Sequence, residues 1–375
     1  MCCSVLFLLN ATVTICGVQN PCRLEDPICQ LYIEYHRLSD ERRGWPEEHR
    51  ASRRAFYEEW LQRLQDAVEM YPNSDSNYVG WAKSESAALL NSLGRYREAL
   101  AIRESLLNDR SDDDVRGRMF SLSQVAHAAY SAASVEKDAD LVGRTCESWE
   151  LYRRLQKRTD PNTITGYTQC AQLSSWVLGD HIASGESYLE AGRAIDQLSE
   201  RDRADLTLGG DTRRAIALLN AGYEFARGGR FDRAVEAFRL SEQNPYGTAS
   251  PAVYLGDTLR LVESEQADIV LPYVEGWIER HRDHPEVGNV MLSLADAYYG
   301  LAPEIHPGQI KWLRRFIEWG SVPERREKYG RSVHMAQGML ASQNYYLEDS
   351  SRMTEYRENF LKMKSSRKGV SNAGG

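Results

Sequence analysis

The residues most able to do chemistry are a histidine pair and a few cysteines. His281 and His284 stand three apart in the run His281-Arg282-Asp283-His284, with Glu286 close behind. That spacing could begin a metal site. Pro285 closes the helix there, however, and no third and fourth ligand set stands nearby. Solvated histidines at a helix end are the favoured reading, and an enzyme with a metal site at His281 and His284 is the minor alternative. Cys146 with His127 or His181 would make a thiol dyad, but their neighbours are those of ordinary amphipathic helices. The run Asp112-Asp113-Asp114 lacks the alternating oxygen ligands and closing Glu of a calcium loop and reads as an acidic loop. No Gly-rich phosphate loop, Gly-x-Ser-x-Gly elbow or His-Glu-x-x-His motif occurs. The expectation is a chain that is not an enzyme and needs no cofactor or metal.

The elements that would have to position any site are helices. Of 375 residues, 42% are hydrophobic and 27% charged, which excludes a disordered or low-complexity chain. A net charge of -8 makes nucleic acid a poor default partner. No stretch reaches the ~18 to 20 uninterrupted apolar residues of a membrane span. Charge is unevenly placed: residues 311–375 carry 13 Lys+Arg against 7 Asp+Glu. Solvated faces of amphipathic helices explain this most simply, with attraction to an anionic partner as the alternative.

Residues 1–18 contain no charged side chain, and their apolar centre, Val5-Leu6-Phe7-Leu8-Leu9, resembles the h-region of a secretory signal peptide. A basic n-region is missing and the segment around Gly17 is a poor Ala-x-Ala match. Two expectations therefore stand: an exported protein, periplasmic or secreted, or a cytoplasmic one with a misassigned start. Five of the seven cysteines (Cys2, Cys3, Cys16, Cys22 and Cys29) fall in the first 29 residues. Cleavage near Gly17 would leave Cys22 and Cys29 able to close a short loop in an oxidising compartment. Residues 19–45 read as a separate N-terminal segment and 365–375 as a disordered basic tail.

From residue 46 to 364 the pattern is helical. Phe56, Trp60, Leu61, Leu64, Val68 and Tyr71 recur at three- and four-residue steps, and the stripe ends at Pro72. Further breaks fall near Gly94, Asp109–Asp114, Asp160-Pro161, Gly228-Gly229, Asn244-Pro245, His284-Pro285, Pro303 and Pro323. No run alternates as a half-buried strand would, so the fold expected is all-α, built of helical hairpins.

Two hairpins share a detailed pattern. One runs from Ala87 through Gly94-Arg95-Tyr96 to Ala99, the other from Gly222 through Gly229-Arg230-Phe231 to Ala234. Small residues at Ala87, Gly222, Ala99 and Ala234 let paired helices approach, and Gly94 and Gly229 suit a left-handed exit from the first helix. Gly256 follows Gly222 by 34 residues, and a further start at Leu294-Ala295 comes after 39. The pattern resembles the tetratricopeptide repeat (TPR) family, with degenerate repeats between Asp114 and Ser199. The resemblance implies an α-α superhelix that binds a protein or peptide along a groove lined by the first helix of each pair. The residues it places there are Trp81, Ser84, Asn91, Tyr223, Arg227, Asp257, Arg260, Asn289, Asp296 and Tyr299. Tyr, Trp and Arg supply large contact area with few rotors or a rigid charged fork. The Lys/Asn clamp that some TPR modules close on a peptide's terminal carboxylate is not visible.

Overall fold

The computed structural model describes residues 26–42, 50–72, 74, 76–243, 245–301 and 307–348. The apolar segment 1–18, Cys22 and the tail 365–375 lie outside the described residues. Every regular element among those described is a helix, so the fold is all-α. The chain divides into two compact units, one through Leu178 and one from Gly179.

The first unit holds α1 (Pro27–Arg42), α2 (Arg50–Met70), α3 (Ser76–Ser92), α4 (Tyr96–Asn108), α5 (Val115–Glu136), α6 (Ala139–Leu155) and α7 (Pro161–Leu173), which ends in a π turn over Ser174–Leu178. The second holds α8 (His181–Asp196), α9 (Glu200–Ala204), α10 (Gly210–Arg227), α11 (Phe231–Ser241), α12 (Pro251–Leu259), α13 (Ala267–Arg280), α14 (Val287–Leu301), α15 (Pro307–Gly320) and α16 (Pro323–Glu348).

Side-chain chemistry sets where these helices start. Asp114, Asp138, Asp160 and Asp180 each accept a hydrogen bond from a backbone N–H in the first turn of the helix that follows. Such caps satisfy donors the helix cannot satisfy itself. Pro161, Pro251, Pro307 and Pro323 occupy first helical positions, where the missing N–H costs nothing. The Asp112–Asp114 run is thus a helix entry, with Asp114 capping α5 and Asp112 paired to Arg118.

The two hairpins singled out in the sequence have matching turns. Gly94 and Gly229 take φ of 79° and 74°. The arginine after each sits at nearly the same angles, φ -91° and ψ 61° for Arg95 against φ -96° and ψ 66° for Arg230. The N–H of Arg95 donates to the Leu90 carbonyl at 2.9 Å, and that of Arg230 to the Phe225 carbonyl at 2.8 Å. A left-handed residue followed by a bond reaching back into the helix is a glycine-based C-cap.

In the first unit α1 packs on α2 and α3, and each later helix packs on the next. Its core runs from Ile28, Tyr35, Trp60 and Leu64 to Leu90 and Ala99. Further on it continues through Ala129, Leu141 and Leu173, beside a cluster around Leu122, Trp149 and Tyr152. Helix α1, within the segment read as separate, supplies buried core side chains, Ile28, Cys29, Tyr32 and Tyr35.

In the second unit α10 packs on α8, α11 and α12, while α12 packs on α14 and α11 on α13. Helices α10, α12 and α14 thus lie side by side, as do α11 and α13. Small residues allow the closest contacts: a Cβ added at Gly222 would lie 2.4 Å from Cε1 of Phe238, and one at Gly185 would lie 2.7 Å from Phe225.

Candidate interaction site

In the first unit, helices α3, α4 and α5 enclose an open cavity of about 730 Å³. Val79, Gly80, Trp81, Lys83 and Ser84 face it from α3, Arg103 and Leu106 from α4, and Phe120, Ser121 and Gln124 from α5. Trp81 is partly buried because its ring packs edge-on against Tyr32 of α1, with centroids 4.8 Å apart. Phe120, by contrast, is 56% exposed at the rim. The lining mixes apolar and cationic groups. Lys83 lies 3.4 Å from the Asp109 carboxylate and Arg110 lies 3.3 Å from that of Asp114. Among the described residues Arg103 donates only to the Ser84 hydroxyl, at 2.6 Å. Burial lowers the Arg103 pKa from the usual guanidinium value, and the nearby Glu85 charge opposes that shift.

Of the residues the sequence assigned to a groove, Trp81 and Ser84 line this cavity. Asn91 lies further along α3, partly buried, with its Oδ1 lacking a hydrogen bond. Spacing of three and seven residues shows how these three share a helix face. The sequence reading missed Arg103, which sits on the second helix of its hairpin and whose neighbours carry no distinguishing pattern.

The second-unit residues lie on α10, α12 and α14, with Arg227, Arg260 and Asp296 exposed and Tyr223 and Asp257 partly buried. Arg227 lies 5.8 Å from the Tyr223 ring centroid and pairs with the buried Glu224 at 3.3 Å. Arg260 pairs with Asp257 at 2.9 Å along α12. Desolvation raises the Asp296 carboxyl above its ordinary value, and the Arg260 charge only partly offsets that. Asn289 is exposed on α14, and Tyr299 is partly buried there. A cavity of about 430 Å³ in this unit lies between α11 and α13 instead, lined by Val235, Arg239, Ile269 and Tyr273.

His281, His284 and Glu286 are each held by a different partner. His281 Nε2 lies 3.1 Å from the Glu242 carboxylate, and its ring lies against Trp277. His284 Nδ1 accepts from the Glu286 N–H, and the Glu286 carboxylate accepts from the Ser250 hydroxyl at 2.8 Å, which ties it to the start of α12. Among the described residues no cluster of three or more His, Cys, Asp or Glu side chains could hold a metal ion.

Glu242 is a structural hub. Burial is the largest influence on it and would raise its pKa, but bonds from Arg280, Tyr273 and His281 together outweigh it and hold the carboxyl below its ordinary value. These bonds join the end of α11 to α13. Because the folded pKa is the lower one, this stabilisation is complete above the ordinary carboxylate range and is lost as pH falls through the folded value. Glu242→Gln is expected to cost about 1 to 2 kcal/mol at pH 7, because a neutral amide weakens charge-assisted bonds. Its deficit relative to the parent protein should shrink in melts taken at progressively lower pH. A deficit that stays constant down to pH 3 would show that the carboxylate charge is irrelevant.

Cys146 of α6 and Cys170 of α7 are joined in a disulfide, with their Cα atoms 5.5 Å apart. Cys146 is therefore not a thiol available for a dyad. His127 lies 2.9 Å from the Gln169 amide, and His181 is bound to Glu224. Cys29 is buried and also disulfide-bonded.

Neither a protein-family profile nor a curated protein sequence matches the chain. Among solved structures, the crystal structure of BtubC (BKLC) from P. vanneervenii is similar with a TM-score of 0.35 and 15% identity, over 61% of this chain and 88% of that one. That likeness is too distant to carry any conclusion about this chain. Among the described residues no helix is long and apolar enough to cross a membrane.

Proposed function

We propose that the protein is a non-catalytic interaction scaffold, a TPR-like superhelix of helical hairpins that binds a protein or peptide segment along its first-helix faces. The observation that carries this reading is the repetition of one hairpin turn, Gly-Arg-aromatic with a left-handed glycine, in each of the two units. The side-by-side packing of α10, α12 and α14 supports it, since stacked first helices present one continuous face. Export from the cytoplasm belongs to the same reading. It is supported by the apolar start of the sequence and by the Cys146–Cys170 disulfide, because such bonds persist in oxidising compartments.

The partner should be an extended or helical segment crossing several repeats. On the second unit the available charges are largely paired with one another, so the surface offers register more than long-range attraction. Replacing Tyr223 and Arg227 together with Ala is expected to reduce partner recovery in an affinity pull-down by about tenfold, while far-UV circular dichroism stays unchanged. Glu224 retains its bond to His181 in that variant, which protects the fold. Undiminished recovery by a folded double variant would remove this face from the binding surface.

A further inference from the structure

We infer that the cavity between α3, α4 and α5 receives an acidic side chain of an extended peptide segment, with Arg103 as the group that binds its carboxylate. This rests on the proposed interaction role and names what one surface would recognise.

Arg103 differs from the other cations of the cavity. Lys83 and Arg110 are neutralised by Asp109 and Asp114. Among the described residues the Arg103 guanidinium contacts a neutral hydroxyl and no carboxylate, the Glu85 charge acting on it from nearby without an ion-pair contact. A guanidinium presents several N–H donors in a planar fork that matches a carboxylate. Once Ser84 is served, donors remain for a ligand. Partial burial strips water from the charge, so a counter-ion gains more there than at an exposed arginine.

Charge balance selects the ligand. One cation with no carboxylate in contact, already partly offset by nearby Glu85, suits at most one monoanion. A phosphate dianion would call for a second cation, and the Lys83 and Arg110 charges are already committed. The volume, about 730 Å³, exceeds what a single carboxylate fills. Val79, Trp81, Leu106 and the exposed Phe120 offer apolar contact to the residues flanking it. An extended peptide with an acidic residue at its centre meets all of these requirements.

Gly80 provides an independent handle. It lines the cavity, and a Cβ built on it meets nothing within 4 Å. A larger side chain there would start into open space and extend into the cavity, and replacing a helical glycine favours the helix.

The test uses two fluorescent, C-terminally amidated pools of 15-residue peptides (probe length chosen as about that spanned by several repeats), identical except that glutamate in one is glutamine in the other. The full chain should bind the glutamate pool about tenfold more tightly. Arg103→Gln should bring the two pools to within about twofold, Arg103→Lys should restore part of the preference, and Gly80→Leu should abolish binding of both while melting no lower than the parent protein. A glutamate preference that survives in folded Arg103→Gln overturns the inference. So does displacement of the glutamate pool by inorganic phosphate at equal concentration, which would indicate a general anion site. Equal binding of the two pools, lost in Gly80→Leu, overturns the carboxylate assignment but leaves the interaction role intact. Failure of either pool to bind overturns the cavity as a peptide site, and the Tyr223/Arg227 experiment then decides the broader role alone.

Discussion

Gly222→Leu is expected to destabilise the second unit by about 3 kcal/mol or more, at or beyond the upper end for an overpacked core. For a unit of this size that is a fall in Tm of roughly 6 to 12 °C. The added Cβ alone would lie 2.4 Å from the Phe238 ring, and leucine brings three further carbons. The ring cannot swing aside. Phe238 is almost wholly buried and stacks on Tyr273, with planes 13° apart and centroids 6.0 Å apart. Tyr273 in turn donates to Glu242, so displacing the ring strains the bonds that join α11 to α13. The whole α10–α11 hairpin must open instead. Gly80→Leu is the control: the same substitution on α3 enters open space and should be neutral or stabilising. Thermal melts of the two variants measure the contrast, and a Gly222→Leu protein that melts like its parent would refute close packing at this position.

Much of this fold was legible because its determinants are local. Prolines and capping aspartates fix helix starts at Val115, Pro161 and Pro323 within a residue or two of the expected breaks. The Gly-Arg-aromatic turns identify two hairpins because a left-handed backbone position selects glycine at Gly94 and Gly229. Helix α1 was less visible. Its buried side chains, Ile28, Cys29, Tyr32 and Tyr35, do recur at helical spacing, but within a short stretch beside a cysteine-rich start.

The candidate site was legible only on one wall. Trp81 and Ser84 stand out in the sequence as groove-face positions of a first helix, whereas the opposing Arg103 looks like any charged residue of an amphipathic helix. Its distinction is that, among the described residues, no carboxylate makes an ion-pair contact with it, and that depends on where Glu104, Asp109 and Asp114 point after folding: toward Arg144, Lys83 and Arg110. In the second unit, helical spacing hid the reverse effect. Asp257 and Arg260 looked like free binding groups but stand three apart and bind each other.

The disulfide was illegible for a related reason, and it carries the other large expected effect. Spacing of 24 residues between Cys146 and Cys170 matches no motif, and their pairing arises only when α6 and α7 fold against each other. Joining points that far apart removes loop-closure entropy from the unfolded chain worth about 3 kcal/mol. The double variant Cys146→Ala/Cys170→Ala is expected to lose about that much, with Trp149 and Tyr152 remaining in the same core cluster. Its two small methyl groups would also leave a void beside Leu122 and Ala126, which adds to the loss. Melting under oxidising conditions should therefore separate variant from parent, and a reductant should narrow the gap by lowering the parent's Tm more than the variant's. Reductant also reaches the bond at Cys29, so a non-reducing peptide map must show the 146–170 link directly. Free thiols at both positions in the oxidised protein, or equal melting of parent and variant, would defeat the assignment. The same experiment bears on export, since a bond worth this much stability favours folding in an oxidising compartment over a reducing one.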